Sequence, residues 1–347
     1  MLLSVLLALA VIIVTARIVG AIFSKLNQPA VIGEVVGGIL LGPSLLGRFA
    51  PGAQTFLLPA SAAPMLNVIA QIGVILYMFL VGLELDLGLV RSSVKRTVGI
   101  SIASIVVPFA IGAGLALLLF ESLSPPAMPV SSFVMFFGVS MAITAFPVLA
   151  RILEDRGLQK TPLGTMALTC AAIDDAIAWC LLALIISVMQ TPINGLKFAA
   201  IHSIFGAFLI GAVIPHRSRV SSFTTGKVSG IVRVLLLPPF FATSGLRTEI
   251  GLVETAMDWA LCAVIIVAAT AGKWGGTAIA ARLAGLSWRD SSALGILMNT
   301  RGLVELIVLN IGLDLGVITP RLFTMLVIMA LVTTMMTTPV LTRLIKR

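Results

Sequence analysis

Residues 165–188 read TMALTCAAIDDAIAWCLLALIISV, an apolar run with two adjacent acids, Asp174 and Asp175, at its middle. A stretch of about 20 apolar residues is the length that spans a bilayer core as a helix. A charged group at the bilayer centre costs at least about 2.5–3.5 kcal/mol, so carboxylates held there usually face a polar cavity and serve a purpose. Neighbouring helix residues point about 100° apart, so the two acids need not share one role. One can face an ion cavity while the other pairs with a cation or caps broken backbone. A carboxylate in a low-dielectric cavity holds a proton more tightly than one in water, so it can alternate between H⁺ and a metal cation near neutral pH.

Outward from this stretch, similar apolar runs recur to both ends of the 347-residue chain, which is 59% hydrophobic and 11% charged. With a mean hydropathy of +1.14, the chain carries more apolar surface than a soluble domain can wet. Unbroken apolar runs exclude the alternating pattern of a membrane barrel. The fold class is all-α membrane. Eleven candidate spans lie near 2–23, 29–47, 65–85, 97–120, 131–153, 162–189, 196–214, 229–246, 257–281, 289–312 and 320–342. Connections are short, and the reading is of a single transmembrane domain over 1–347 with no soluble regulatory domain. The N-terminal run, without a basic leader, reads as a first span.

The formal charge of +9 does not indicate nucleic acid, because no basic face is interleaved with aromatics. Lys and Arg instead crowd the loops of one side, among them Arg91, Lys95, Arg96, Arg156, Lys160, Arg217, Arg219, Arg343, Lys346 and Arg347. The opposite side holds Arg48, Lys197, Arg247 and Arg321. This bias predicts the N-terminus outside and the C-terminus in the cytoplasm. Cys170, Cys180 and Cys262 sit inside apolar runs, where they read as small buried hydrophobes without disulfide or metal spacing. No cofactor is expected. Nucleophile–base pairs and nucleotide loops are absent from the sequence, so an enzyme is not expected either.

The chain also repeats itself in order. VIGEVVGGILLGP near residue 31 is echoed by IFGAFLIGAVIP near 204, and FLVGLELDLGLV by FATSGLRTEIGLV. ARILEDRGL matches LNIGLDLGV, and TMALTCAAIDD matches TMLVIMALVTT. Paired segments lie five spans apart, so residues 1–189 and 196–347 form two halves running oppositely through the membrane, an arrangement typical of secondary transporters. Corresponding spans carry helix-breaking signals: Thr144-Ala145-Phe146-Pro147 in one and Asn299-Thr300-Arg301-Gly302 in the other. Freed carbonyls and the Thr144 hydroxyl would suit a hard cation such as Na⁺ or K⁺. Lys273, deep in its span, needs an anion, and Asp174 or Asp175 can supply it. Arg301 and Glu305 are four apart and can pair, as a structural or a gating contact. Glu34 reads as a structural or interface carboxylate, Glu84 and Asp86 as solvated charge at a span end, and His202 lacks a second metal ligand nearby. Pro238-Pro239 suggests another kink.

Taken together, GEVVGGILLGPSLLG, FLVGLELD, TAFPVLARIL, AAIDDAIAW, FGAFLIGAVIP and MNTRGLVELIVLNIG resemble the monovalent cation:proton antiporters of the Kef-type and plant cation/proton-exchanger branch. The resemblance implies a homodimer in which a six-helix core domain moves against a dimerisation domain. It implies two unwound helices crossing at Thr144–Pro147 and Asn299–Gly302, with Asp175 as the acid that transiently holds Na⁺ or K⁺, Asp174 before it, and Lys273 as the core lysine. The family usually carries about two more spans between the Asp-bearing helix and FGAFLIGAVIP, where only 190–201 stands here. The expected activity is exchange of Na⁺ or K⁺ for H⁺. The alternatives are a cation channel or leak, and a shortened variant that does not transport.

Overall fold

The structure, a computed structural model, describes residues 2–84, 94–126, 128–188, 195–214, 218 and 226–345. The described residues form helices and their connections: α1 (Leu2–Lys25), α2 (Ala30–Leu41), α3 (Ala63–Glu84), α4 (Val94–Leu123), α5 (Val130–Ala142), α6 (Phe146–Asp155), α7 (Pro162–Val188), α8 (Gly195–Val213), α9 (Leu237–Leu246), α10 (Ala256–Thr270), α11 (Gly276–Leu283), α12 (Trp288–Met298), α13 (Leu303–Asp314) and α14 (Pro320–Ile345), with short turns of helix between some of them. Among the described residues nine helical segments are long and apolar enough to cross a membrane, and the bent pair α12–α13 makes a tenth. Helix α8 falls where the remaining expected span lies. Asp86, Arg91, Arg217, Arg219, Lys346 and Arg347 lie outside the described residues, as do the side chains of Glu84, Lys95, Arg96, Lys197 and His202.

The chain divides into two compact units, and each draws on both halves of the sequence. One unit comprises Met1–Gly88 and Pro192–Gly251, the other Leu89–Thr191 and Leu252–Arg347. In the first, α2 packs on α1 and α9, and α3 on α8 and α9. Its apolar contacts join Val5, Ala8 and Ile12 of α1 to Leu41, Leu66 and Ala242. Lipid offers no hydrophobic drive to bring helices together, so close backbone approach does the work. A Cβ on Gly82 would run into the carbonyl of Phe208, and one on Gly211 into that of Phe79, so α3 and α8 meet through glycine on both sides. Glu34 is buried in α2, with Arg17 of α1 acting on it electrostatically. The Pro238-Pro239 signal corresponds to an irregular segment, since a π-helical turn at Val232–Leu236 leads into α9, with proline in its first turn.

The second unit holds both broken spans. Helices α5 and α6 are separated at Ile143–Ala145, and α12 and α13 at Asn299–Gly302 with a bend of 43°. The segments cross where Ala145 N–H donates to Thr300 O at 3.0 Å. Gly302 permits the crossing, because a Cβ there would strike Val148 of α6. Apolar packing of α6, α7, α12 and α14 fills the side of the unit around Leu149, Ile152, Ala167, Leu294 and Leu341. At the opposite end of α10, Thr255 and Asp258 form a reciprocal cap, and Asp258 also pairs with Arg321 of α14.

Cys170 and Cys262 are buried, as expected, but Cys180 is exposed on α7. The expectation of burial fails there because an apolar surface suits lipid as well as a protein interior, so an apolar run does not say which face is covered.

Candidate functional site

The two acids of α7 occupy opposite situations. Asp174 is buried and surrounded by donors: Ser101 Oγ at 2.6 Å, Ser104 Oγ at 2.7 Å, Thr144 Oγ1 at 2.9 Å and Lys273 Nζ at 2.9 Å. A carboxylate offers about four acceptor positions, so Asp174 has little capacity left. Asp175 is 2% exposed, yet neither of its oxygens has a hydrogen-bond partner. The hundred-degree step along one helix therefore separates an acid with four partners from one with none.

Lys273 lies in a π-helical turn, Ala271–Gly275, between α10 and α11. Such turns insert an extra residue into a helix and are frequent at functional positions. The Lys273 ammonium is fully buried and donates to Asp174 Oδ2, to Ser104 O at 2.8 Å and to Ala142 O. All three of its donors are thereby matched.

Arg301 performs a related task from the other break. Its guanidinium donates to Ser140 O at 2.7 Å, Met141 O at 2.6 Å and Glu305 Oε2 at 2.9 Å, with Ile143 O at 3.4 Å. Helix α5 ends at Ala142, where terminal carbonyls lack intrahelical donors and the helix dipole favours positive charge. Arg301 and Lys273 supply that charge from two directions. The carbonyls expected to await a cation are therefore already engaged by cationic side chains, and the Thr144 hydroxyl is on Asp174, within 3.2 Å of Met298 O. Asn299 is buried with its side-chain oxygen unpartnered, while its amide nitrogen lies 3.7 Å from Met336 Sδ.

Thus the structure brings Asp174, Thr144 and Lys273 together, and places Asp175 beside them but outside their hydrogen bonds. Arg301 and Glu305 pair as the spacing predicts and are fully buried. Glu305→Gln preserves an acceptor for Arg301 while removing the charge. Its expected effect is a loss of about 1–3 kcal/mol in stability, read by denaturation in detergent, with transport retained within about twofold if the pair is structural.

Sequence reasoning missed Ser101 and Ser104, although hydroxyls three apart in SIASIV of an apolar helix share one face. It also missed Thr334 of α14, whose hydroxyl accepts from Arg301 N at 2.8 Å and lies 2.9 Å from Arg301 O. The π-turn around Lys273 gave no periodicity signal beyond the glycines of AGKWGG.

The fold and this site define an all-helical, multi-pass membrane protein organised around two crossed, broken helices. The sequence profile described as "Sodium/hydrogen exchanger, transmembrane" matches residues 11–201 and 196–347, and the chain belongs to that family. The Na(+)/H(+) antiporter NhaS4 of Synechocystis is 41% identical over 399 residues, covering 99% of this chain and 97% of that protein. The Cation/H(+) antiporter 20 of Arabidopsis thaliana is 37% identical, over 95% of this chain and 47% of the relative. The K(+)/H(+) antiporter 1 of Saccharomyces cerevisiae is 32% identical, over 96% of this chain and 45% of the relative. The chain thus spans about half the length of the plant and yeast relatives. The solved structure of the sodium proton antiporter MjNhaP1 from Methanocaldococcus jannaschii superposes with a TM-score of 0.65 at 13% identity, over 98% of this chain and 96% of that one. That likeness concerns the fold alone.

Proposed function

We propose that this chain exchanges a monovalent alkali cation for H⁺, with the two ions competing for Asp175. The observation that carries the reading is the bare carboxylate: Asp175 is buried without a partner, one residue from an acid that has four. A buried carboxylate without compensation is strongly disfavoured, so such a group takes up a proton or a cation. Either neutralises it, and both cannot do so at once. Asp174, paired with Lys273 and bonded to three hydroxyls, lies beside the site. The relatives named as Na⁺/H⁺ and K⁺/H⁺ antiporters support exchange of a monovalent cation for H⁺. Oxygen ligands suit either ion, so the cation is stated as a class.

The test is cation-driven proton movement in proteoliposomes holding a pH-sensitive dye. Addition of Na⁺ or K⁺ is expected to drive saturable proton efflux. Under one-to-one competition the apparent cation KM rises about tenfold for each unit of pH fall while the site is mainly protonated. Vmax should hold. A cation flux without coupled protons, or one whose KM ignores pH, identifies a channel or leak and overturns the reading.

A second reading has its own observation. The alignment with NhaS4 runs over 399 positions against 347 residues here, and the family profile matches in two pieces that meet at 196–201. That junction is where two spans are expected and only 190–201 stands. The second reading is a shortened, non-transporting form. Proton movement that is absent in this chain and restored by inserting two spans at the junction would establish it.

A further inference from the structure

We propose that Thr334 is a positioning residue for the cation site, locking the second helix break so that the first can hold Asp175 bare. The proposal rests on the exchange reading above, and it begins with the repeat. Residues 165–175, TMALTCAAIDD, and 324–334, TMLVIMALVTT, align without a gap, which sets Thr334 opposite Asp175 and Thr333 opposite Asp174. Each residue of the second pair is buried, as are the acids.

The two counterparts treat their own breaks differently. Thr334 Oγ1 accepts from Arg301 N at 2.8 Å, and its hydroxyl lies 2.9 Å from Arg301 O and 2.8 Å from Ala330 O. One side chain therefore accepts from the N–H of a residue at the centre of the second break, while its single proton lies between Arg301 O and Ala330 O of its own helix. Beside the first break Asp175, the counterpart of Thr334, has no hydrogen-bond partner on either oxygen. A hydroxyl can donate and accept together, so it closes the backbone groups that the broken helix leaves open. A carboxylate can only accept, and it carries the charge that an ion must answer. The inverted halves thus place a clamp at one break and an ion acceptor at the other.

Arg301 carries the effect of the clamp across. Its peptide is fixed by Thr334, and its guanidinium holds Ser140 O and Met141 O at the end of α5. The neighbouring Thr300 O accepts from Ala145 N–H in the first break. If the Arg301 peptide loosens, the end of α5 and the Ile143–Ala145 segment lose their platform, and the N-terminus of α6 moves relative to Asp175.

The experiment compares wild type, Thr334→Val and Thr334→Ser by peptide-resolved hydrogen–deuterium exchange and by transport. Valine keeps the shape and removes the hydroxyl, whereas serine keeps the hydroxyl. In wild type, residues 299–303 should exchange more slowly than residues 143–147. In Thr334→Val both segments should exchange faster. The apparent cation KM should rise about tenfold, the scale of one buried hydrogen bond, with Vmax within about twofold; Thr334→Ser should restore wild-type values. Faster exchange confined to 299–303, or an unchanged KM in Thr334→Val, reduces Thr334 to a local structural contact and overturns the proposal. If Thr334→Val does not fold, the wild-type comparison decides, and equal or faster exchange at 299–303 overturns it. Absence of any wild-type flux would instead sink the exchange reading, and Thr334 is then judged on whether its loss loosens 143–147.

Discussion

Asp175→Asn is expected to abolish coupled exchange, to about one hundredth of wild type or less, while making the protein more stable. The two effects share one cause. Asp175 has no hydrogen-bond partner and almost no solvent, so folding must bury a group that water would otherwise satisfy. Asparagine is close to it in shape, carries no charge and cannot take up or release a proton in the working range. The substitution therefore removes the chemistry and the cost of burying an ionised acid, so about 1 kcal/mol or more of added stability is expected where Asp175 would otherwise be charged. Asp174→Asn makes the contrast. There the amide replaces an acceptor engaged by Lys273 and three hydroxyls, so stability should fall. Proteoliposome flux and thermal denaturation of the two variants side by side separate the roles. Retained exchange in Asp175→Asn, at any pH, removes this residue from the mechanism.

Much of this arrangement was legible in the chain itself. Hydropathy placed helices at the expected spans, because in lipid the backbone must satisfy itself locally and length alone sets the crossing. Pro147 and Gly302 marked the breaks for the same local reason: one lacks a backbone donor and the other lacks a Cβ where α6 passes. The division of labour between the acids was not legible. It depends on which donors face Asp174, and these include Ser101 and Lys273, 73 and 99 residues away in sequence. Adjacent residues on a helix differ only in direction, and direction acquires meaning only once neighbours are placed. Thr334 was hidden differently. Its alignment with Asp175 was visible as a repeat, but a threonine in an apolar helix commonly bonds back to its own preceding turn. Only the crossing of α14 with the second break gives it Arg301 as a second partner. Cys180 shows the remaining limit, since an apolar helix has a lipid face and a protein face that composition does not tell apart.

Lys273→Ala is expected to cost about 3–5 kcal/mol, the range for breaking a buried ion pair by removing one partner. Three acceptors lose their donor at once: Asp174 Oδ2, Ser104 O and Ala142 O. The last of these lies at the end of α5, so the damage reaches the broken helix and should also shift the pH profile of exchange. Removal of the lysine leaves Asp174 with its hydroxyl donors but without a countercharge. The double variant Asp174→Asn/Lys273→Ala tests that account. If the loss comes from an uncompensated buried charge, the double variant should recover part of the stability lost in Lys273→Ala, because neutralising the acid removes what the lysine had balanced. If the loss comes from the cavity left by the lysine chain or from the two carbonyls, the double variant should be no better than the single. Simple additivity of the two substitutions, with an unchanged pH profile in Lys273→Ala, would show that the ammonium serves the α5 carbonyls and not the acid beside the proposed ion site.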